Sequence, residues 1–307
     1  MYQSTNYRGD VRRSKSLLVG LILLGGLKLG YVLYRNHAGA STEATTSSST
    51  TIAVPTTTTQ PNVPVTQPYV PITWPSGTMA ESVTLQPSAP GVLDGKTVVI
   101  DPGHNGLNWS HPSIINQLVP DGHGTKACDT TGTSTNNGYS EASFSFTVAE
   151  RLQTLLRAEG AVVILTRSNN QSVGPCVNVR AATGPTGDVA ISIHGDGGPS
   201  SGHGFAVLVP VFSATNSGMV APSRRFGDAV VSAFAQVMPI STYLGSHGIQ
   251  PRSDLAGLNL SAIPKVFIEA GNMRNAADAT LMQSPAWQQR AAVQLATAIR
   301  SYLVGGP

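Results

Sequence analysis

The sequence is poor in charge: Asp, Glu, Lys and Arg together make up 11% of its 307 residues. That leaves too few ions for the flanking positions of a coiled coil and too few cations for a nucleic-acid-binding face. The formal net charge of +3 does not restore such a face, because it is carried at one end. Residues 1–40 hold Arg8, Arg12, Arg13, Lys15, Lys28 and Arg35 against Asp10 alone, so 13 basic and 15 acidic residues remain from position 41 onward. No nucleic-acid partner is expected. Cysteine is nearly absent as well. Cys128 and Cys176 are too far apart for a thiolate metal site of the C-x-x-C kind, and in an exported chain an even pair reads as a disulfide. Closing a loop of about 48 residues is worth roughly 3–4 kcal/mol in the chain-entropy model.

Also lacking is an unbroken apolar run of about 20 residues, the length that crosses a bilayer. The longest run, Leu17 to Leu27, follows Arg12, Arg13 and Lys15 and is ended by Lys28, after which Leu29 to Tyr34 forms a shorter one. This reads as a signal peptide with Ala38-Gly39-Ala40 as its cleavage site. With Lys28 snorkelling, the same stretch reads as a single uncleaved anchor. Either way, the rest of the chain is expected outside the cytoplasm, in the periplasmic space or cell wall. Membrane contact is then confined to residues 1–40.

What the chain has in abundance is glycine, 32 residues, and proline, 21. Residues 41–90 are dominated by Ser, Thr and Pro in their first half and cannot bury enough surface to offset chain entropy, so they are read as a disordered linker. The catalytic domain is placed at 91–307. There, short apolar runs alternate with helical patterns. Strands are predicted over Thr97–Ile100, Ala161–Leu165, Val189–Ile193, Phe205–Val209 and Lys265–Ile268. Helices are predicted from Glu141 to about Glu159, from Pro222 to about Val237, and from Ser284-Pro285 to Leu303. Alternation of this kind, with apolar strands, predicts an α/β domain: a mostly parallel central sheet of five or six strands with helices on both faces.

Three of those strands end in a polar residue set among glycines: Asp101-Pro102-Gly103-His104, Ile193-His194-Gly195-Asp196 and Ile268-Glu269-Ala270-Gly271. Glu141 opens the first helix after a long loop. Strand ends are where α/β sheets gather functional groups. Two imidazoles and a carboxylate, His104, His194 and Glu141, form a ligand set for catalytic zinc that leaves a fourth position for water. A further carboxylate, Glu269, is costly to leave unpaired at the end of an apolar strand.

From about Lys96 to Leu303 the chain resembles the zinc-dependent N-acetylmuramoyl-L-alanine amidases that include the AmiC-type enzymes, in their small exported actinobacterial form. The resemblance rests on VVIDPGHNG (98–106), the Glu141 helix, the segment leading to LTR (163–167), AISIHGDG (190–197) and PKVFIEAGNMRN (264–275). It implies one zinc ion on His104, Glu141 and His194, with Glu269 as catalytic acid/base. It also implies peptidoglycan or muropeptides as partner, the bond cleaved being the amide between N-acetylmuramic acid and L-alanine. The chain departs from the commoner His-x-Asn-Ala pattern at Asp196, a change expected to alter hydrogen bonding near the metal. Arg252 and His247 are candidate substrate-binding residues, and the protein is expected to be monomeric. Another extracytoplasmic zinc peptidase or deacetylase, or an inactive wall-binding module, are the alternative readings.

Overall fold

The computed structural model describes residues 76–305 together with Ile72 and Trp74. The expected export segment and most of the expected linker lie outside the described residues. Among the described residues, no helix is long and apolar enough to cross a membrane.

The strands are β1 (Val83–Leu85), β2 (Thr97–Pro102), β3 (Leu118–Pro120), β4 (Thr125–Ala127), β5 (Val162–Leu165), β6 (Val189–Asp196), β7 (Ala206–Pro210), β8 (Ile249–Arg252) and β9 (Lys265–Asn272). The helices are α1 (Pro112–Ile115), α2 (Glu141–Ala158), α3 (Val177–Ala182), α4 (Val220–Phe234), α5 (Ala256–Asn259), α6 (Ala276–Met282) and α7 (Pro285–Val304). Seven strands form one sheet in the order β1-β5-β2-β6-β9-β7-β8, and β3 and β4 form a separate hairpin. β5, β2, β6 and β9 run parallel, β1 pairs antiparallel with β5, and β7 pairs antiparallel with β9.

The sheet is thus the expected mostly parallel one, with seven strands rather than five or six. The two additions escape periodicity for a physical reason. β1 has three residues and β8 has four, with Pro251 inside it, and both lie at the sheet edges, where a missing N–H is tolerated. β1 also corrects the expected linker: residues 83–85 belong to the sheet, and Ala80 is fully buried.

Alternation along the strands decides where the site lies. On one face Val98 and Ile100 of β2, Val189, Ile191 and Ile193 of β6, and Val266, Ile268 and Ala270 of β9 pack against α2, α4 and α7. Phe144, Leu152, Phe226, Phe234, Trp287 and Leu295 supply most of that core, and truncating one such side chain to Ala costs about 2–5 kcal/mol. The opposite face carries the intervening residues: Asp101 of β2, Ser192 and His194 of β6, and Lys265, Phe267 and Glu269 of β9. Register brings them side by side, with Asp101 opposite Ser192, Ser192 opposite Phe267 and His194 opposite Glu269. On this face the short α3 and α5, β4 and the loop before α2 surround a cleft at the strand ends.

The long loop before α2 is pinned by the Cys128–Cys176 disulfide. Its sulfurs sit in a small cluster with Val119, Ile72, Trp74 and Val177. Replacing both cysteines by Ser is expected to lower unfolding free energy by roughly 3–4 kcal/mol, read from urea denaturation of the oxidised parent and the variant. Equal midpoints would show that the crosslink contributes nothing to stability.

Candidate metal and catalytic site

The loop after β2 carries His104 at φ +56°, a left-handed conformation that costs energy for a side-chain-bearing residue. Fixing that turn is the task of Arg167, which is fully buried. Its guanidinium donates to the carbonyls of Pro102 (2.9 Å), Gly103 (3.2 Å) and Ala142 (2.9 Å), tying the loop to the start of α2. Burial pushes this arginine well below its ordinary pKa.

α2 begins after Ser140, whose side chain accepts from the Ser143 amide, as capping predicts. Glu141 is then turned inward and is 4% exposed. Its Oε2 accepts from the Thr133 amide (2.8 Å) and its Oε1 from the Gly195 amide (3.3 Å). The Gly195 amide is free to do this because the β6–β9 register shifts between His194 and Asp196, the local re-aiming that a bulge provides.

Three side chains converge on one point. Glu141 Oε1 lies 3.1 Å from His104 Nε2 and 2.8 Å from His194 Nδ1. All three ligand atoms lie within 4.8 Å of one another. Bonds of about 2.1 Å to one tetrahedral ion place its ligands about 3.4 Å apart, so the set fits a single cation. Burial would raise the Glu141 carboxyl, yet the adjoining His104 and His194 rings hold it below the usual carboxylate range. Burial likewise opposes charge on His104, but Glu141 and Asp129 raise it well above the ordinary imidazole value.

Close packing fixes the His194 ring. It stacks on Phe267 at 5.2 Å and 14°, and a Cβ at Gly103 would meet His194 Cε1 at 2.3 Å. Gly103→Ala is therefore expected to move a ligand and cut activity by about 10²-fold, the cost of misplacing a reacting group by about 1 Å. Assay of the soluble variant checks this, and parental activity would show that the contact is not limiting.

Glu269 stands at the cleft wall beside these residues. Its Oε2 is out of contact with solvent and has no hydrogen-bond partner among the described residues. Burial, then the Glu141 and Asp196 carboxylates, raise its pKa well above the ordinary value. A half-buried carboxylate with one enclosed oxygen and a raised pKa, facing a cleft, is what acid/base chemistry at neutral pH requires.

Arg252 also reaches the cleft, at the end of β8. It is held by Asp254 through Nε–Oδ1 (2.7 Å) and Nη2–Oδ2 (2.6 Å) bonds. His247 is not among the residues that line it. It lies exposed in a tight turn with φ values of +67°, +53° and +82° at Gly245, His247 and Gly248, and its Nδ1 faces Ser246 Oγ. Asp196 lines the cleft, and its carboxylate accepts from the Tyr243 hydroxyl.

Sequence reasoning missed the residues behind the ligands. Asp129 Oδ1 (3.3 Å) and the Thr130 carbonyl (3.1 Å) face His104 Nδ1, and Ser192 Oγ lies 3.4 Å from His194 Nε2. Beneath them Asp101 accepts from Thr166, Ser192, Arg180 and Lys265. Burial opposes its charge, but Lys265 and Arg180 hold its carboxyl well below the usual value. The period-two alternation of Lys265, Phe267 and Glu269, and of Ser192 and His194, was the available signal.

Fold and site together define an α/β protein with a candidate three-ligand metal centre beside an unpartnered carboxylate. Residues 98–301 match the family model described as N-acetylmuramoyl-L-alanine amidase. The chain is 40% identical over 222 residues to N-acetylmuramoyl-L-alanine amidase Rv3717 of Mycobacterium tuberculosis, covering 70% of this chain and 90% of that one. It is also 40% identical to the crystal structure of the N-acetylmuramyl-L-alanine amidase Ami1 from Mycobacterium smegmatis, with a TM-score of 0.65 over 70% of this chain and 99% of that one. The AmiC2 amidase of Nostoc punctiforme, at 20% identity and a TM-score of 0.52, shares the fold. The chain belongs to the N-acetylmuramoyl-L-alanine amidase family.

Proposed function

We propose that this protein is a peptidoglycan hydrolase that cleaves the amide between N-acetylmuramic acid and L-alanine of the stem peptide, outside the cytoplasm. The observation that carries the reading is the convergence of His104, Glu141 and His194 on one point beside Glu269, in a chain of this family. Two imidazoles and one carboxylate suit zinc and leave a coordination position open. A bound zinc ion supplies Lewis acidity toward the scissile carbonyl and makes water acidic enough to attack at neutral pH.

The chain's own residues do the rest. Glu269 takes the proton of the attacking water on its carboxylate and returns it to the leaving alanine nitrogen. Val177, Leu208, Leu255, Ala256 and Phe267 supply the apolar part of the cleft around it. Arg252, held rigid by Asp254, offers a guanidinium face to a carboxylate of the stem peptide. Sequence relatives named cell wall amidases, such as LytH of Staphylococcus epidermidis, support action at the wall, and the N-terminal segment supports export.

Product analysis tests the reading. Muropeptides treated with the full-length protein are expected to release an intact stem peptide with a free N-terminal L-alanine, seen by chromatography and mass spectrometry. A shortened peptide would identify a peptidase, acetate a deacetylase, and no product a binding module; each would overturn the proposal.

A further inference from the structure

The hydrogen-bond chemistry behind the ligands is directional. Ser192 uses its hydroxyl hydrogen on Asp101 Oδ2 at 2.7 Å, so its oxygen can only accept from His194 Nε2. Ser192 therefore favours a proton on His194 Nε2, which leaves Nδ1, 2.8 Å from Glu141 Oε1, to a cation when one is bound. His104 is held in the opposite sense. Its Nδ1 faces Asp129 Oδ1, the Thr130 carbonyl and the Thr130 hydroxyl; the carboxylate and the carbonyl only accept, and the hydroxyl oxygen can accept as well. With a cation bound, its remaining proton sits on Nδ1 and the Nε2 lone pair is left to the ion. Two imidazole lone pairs and a carboxylate oxygen would then be the donors presented to that cation.

Both relays lead to one residue. Ser192 ends on Asp101 directly. Asp129 Oδ2 lies 3.5 Å from Arg180 Nη2, and Arg180 Nη1 lies 3.1 Å from Asp101 Oδ1. Arg180 also donates to the His104 carbonyl at 2.6 Å, gripping the loop as well as the ring's partner. Lys265 Nζ, 2.9 Å from Asp101 Oδ2, balances the charge of the cluster. Asp101 is 3% exposed, Arg180 4% and Lys265 2%, so the cluster is shut off from water and keeps its geometry.

We propose that Asp101 is a positioning residue that orients both metal-binding histidines, His194 through Ser192 and His104 through Arg180 and Asp129. This rests on reading His104, Glu141 and His194 as the metal ligands. The structure also supplies an internal control. Thr166 Oγ1 donates to Asp101 Oδ1 at 2.7 Å, a buried hydroxyl on the same carboxylate, and Thr166 leads to no ligand.

The test compares Ser192→Ala with Thr166→Val in the full-length protein, measuring zinc affinity by chelator competition and the visible spectrum of the cobalt-substituted form. Ser192→Ala is expected to weaken zinc binding by about 10- to 100-fold, as loss of a partner behind a ligand does, and to alter the cobalt spectrum. Thr166→Val is expected to lower thermal stability while leaving zinc affinity and spectrum as in the parent. Asp129→Asn is expected to weaken zinc through the other ring, so its effect should combine multiplicatively with that of Ser192→Ala. Nitrogen shifts of the zinc-loaded parent should place the His194 proton on Nε2 and the His104 proton on Nδ1. If the parent binds zinc and Ser192→Ala binds it equally well, or if Thr166→Val weakens it to the same degree, the positioning role is wrong while the ligand assignment stands. If the parent binds no zinc, both are wrong.

Discussion

Glu269→Gln is expected to slow muropeptide hydrolysis by about 10²–10⁴-fold, the usual contribution of a positioned acid/base, while zinc remains bound. The side chain keeps its size but loses the ability to take a proton. A second consequence concerns stability. Burial first, then the Glu141 and Asp196 carboxylates, raise the Glu269 pKa in the fold, whereas in the unfolded chain it ionises near ~4.3. Above that pH the metal-free fold binds more protons at this position than the unfolded chain does. Stability therefore declines as pH rises from ~4.3 through the raised folded value. Glutamine is neutral throughout. The metal-free variant should match the parent in acid and exceed it at neutral pH, measured by thermal unfolding across pH. A variant that is inactive yet more stable is the signature of a site built against its own stability. An active variant with an unchanged pH profile would remove Glu269 from the chemistry.

Glu141→Ala is expected to abolish retained zinc and lower activity by about 10³-fold or more, the equivalent of the several kcal/mol that a metal's charge contributes. Its Oε1 is the atom that both histidines approach, at 3.1 Å and 2.8 Å. The same change leaves the Thr133 and Gly195 amides without their acceptor, at about 1–3 kcal/mol for each that stays dry. The variant should therefore also unfold more readily. Metal analysis after dialysis, with the rate on muropeptides, checks the first claim. Stoichiometric zinc at parental rate would reduce Glu141 to an ordinary acidic residue in the first turn of a helix.

That ordinary reading shows how far the sequence alone reaches. Acidic residues favour helix N-termini whether or not they bind anything, so Glu141 by itself is ambiguous. What distinguishes it is inward burial, which depends on the Thr133 loop folding over α2. Glycine-flanked strand ends marked His104, His194 and Glu269, because those segments carry their polar residues at the edge of apolar runs. The parallel core was legible for the same reason: Val98 to Ile100 is short, β-branched and uninterrupted, and Val189, Ile191 and Ile193 put β-branched residues on one face.

The cluster of Asp101, Arg180 and Lys265 was not legible, because alternation puts Lys265 on the site's face of β9 but nothing local names its partners. Its members come from β2, α3 and β9, and their meeting depends on register and on the loop that the Cys128–Cys176 disulfide ties down. Arg252 and His247 show the same limit from the other side. They lie five residues apart in chain, yet one closes β8 at the cleft and the other tips a solvent-facing turn.

The central claim is that a cation held by His104, Glu141 and His194 is required for amide cleavage. The direct measurement follows hydrolysis of muramyl dipeptide by the full-length protein before chelation, after chelation with zinc content verified, and after zinc is restored in stoichiometric amount. The dipeptide is expected to be released in the first state, not in the second, and again in the third. Undiminished cleavage by protein verified to be free of metal would contradict it.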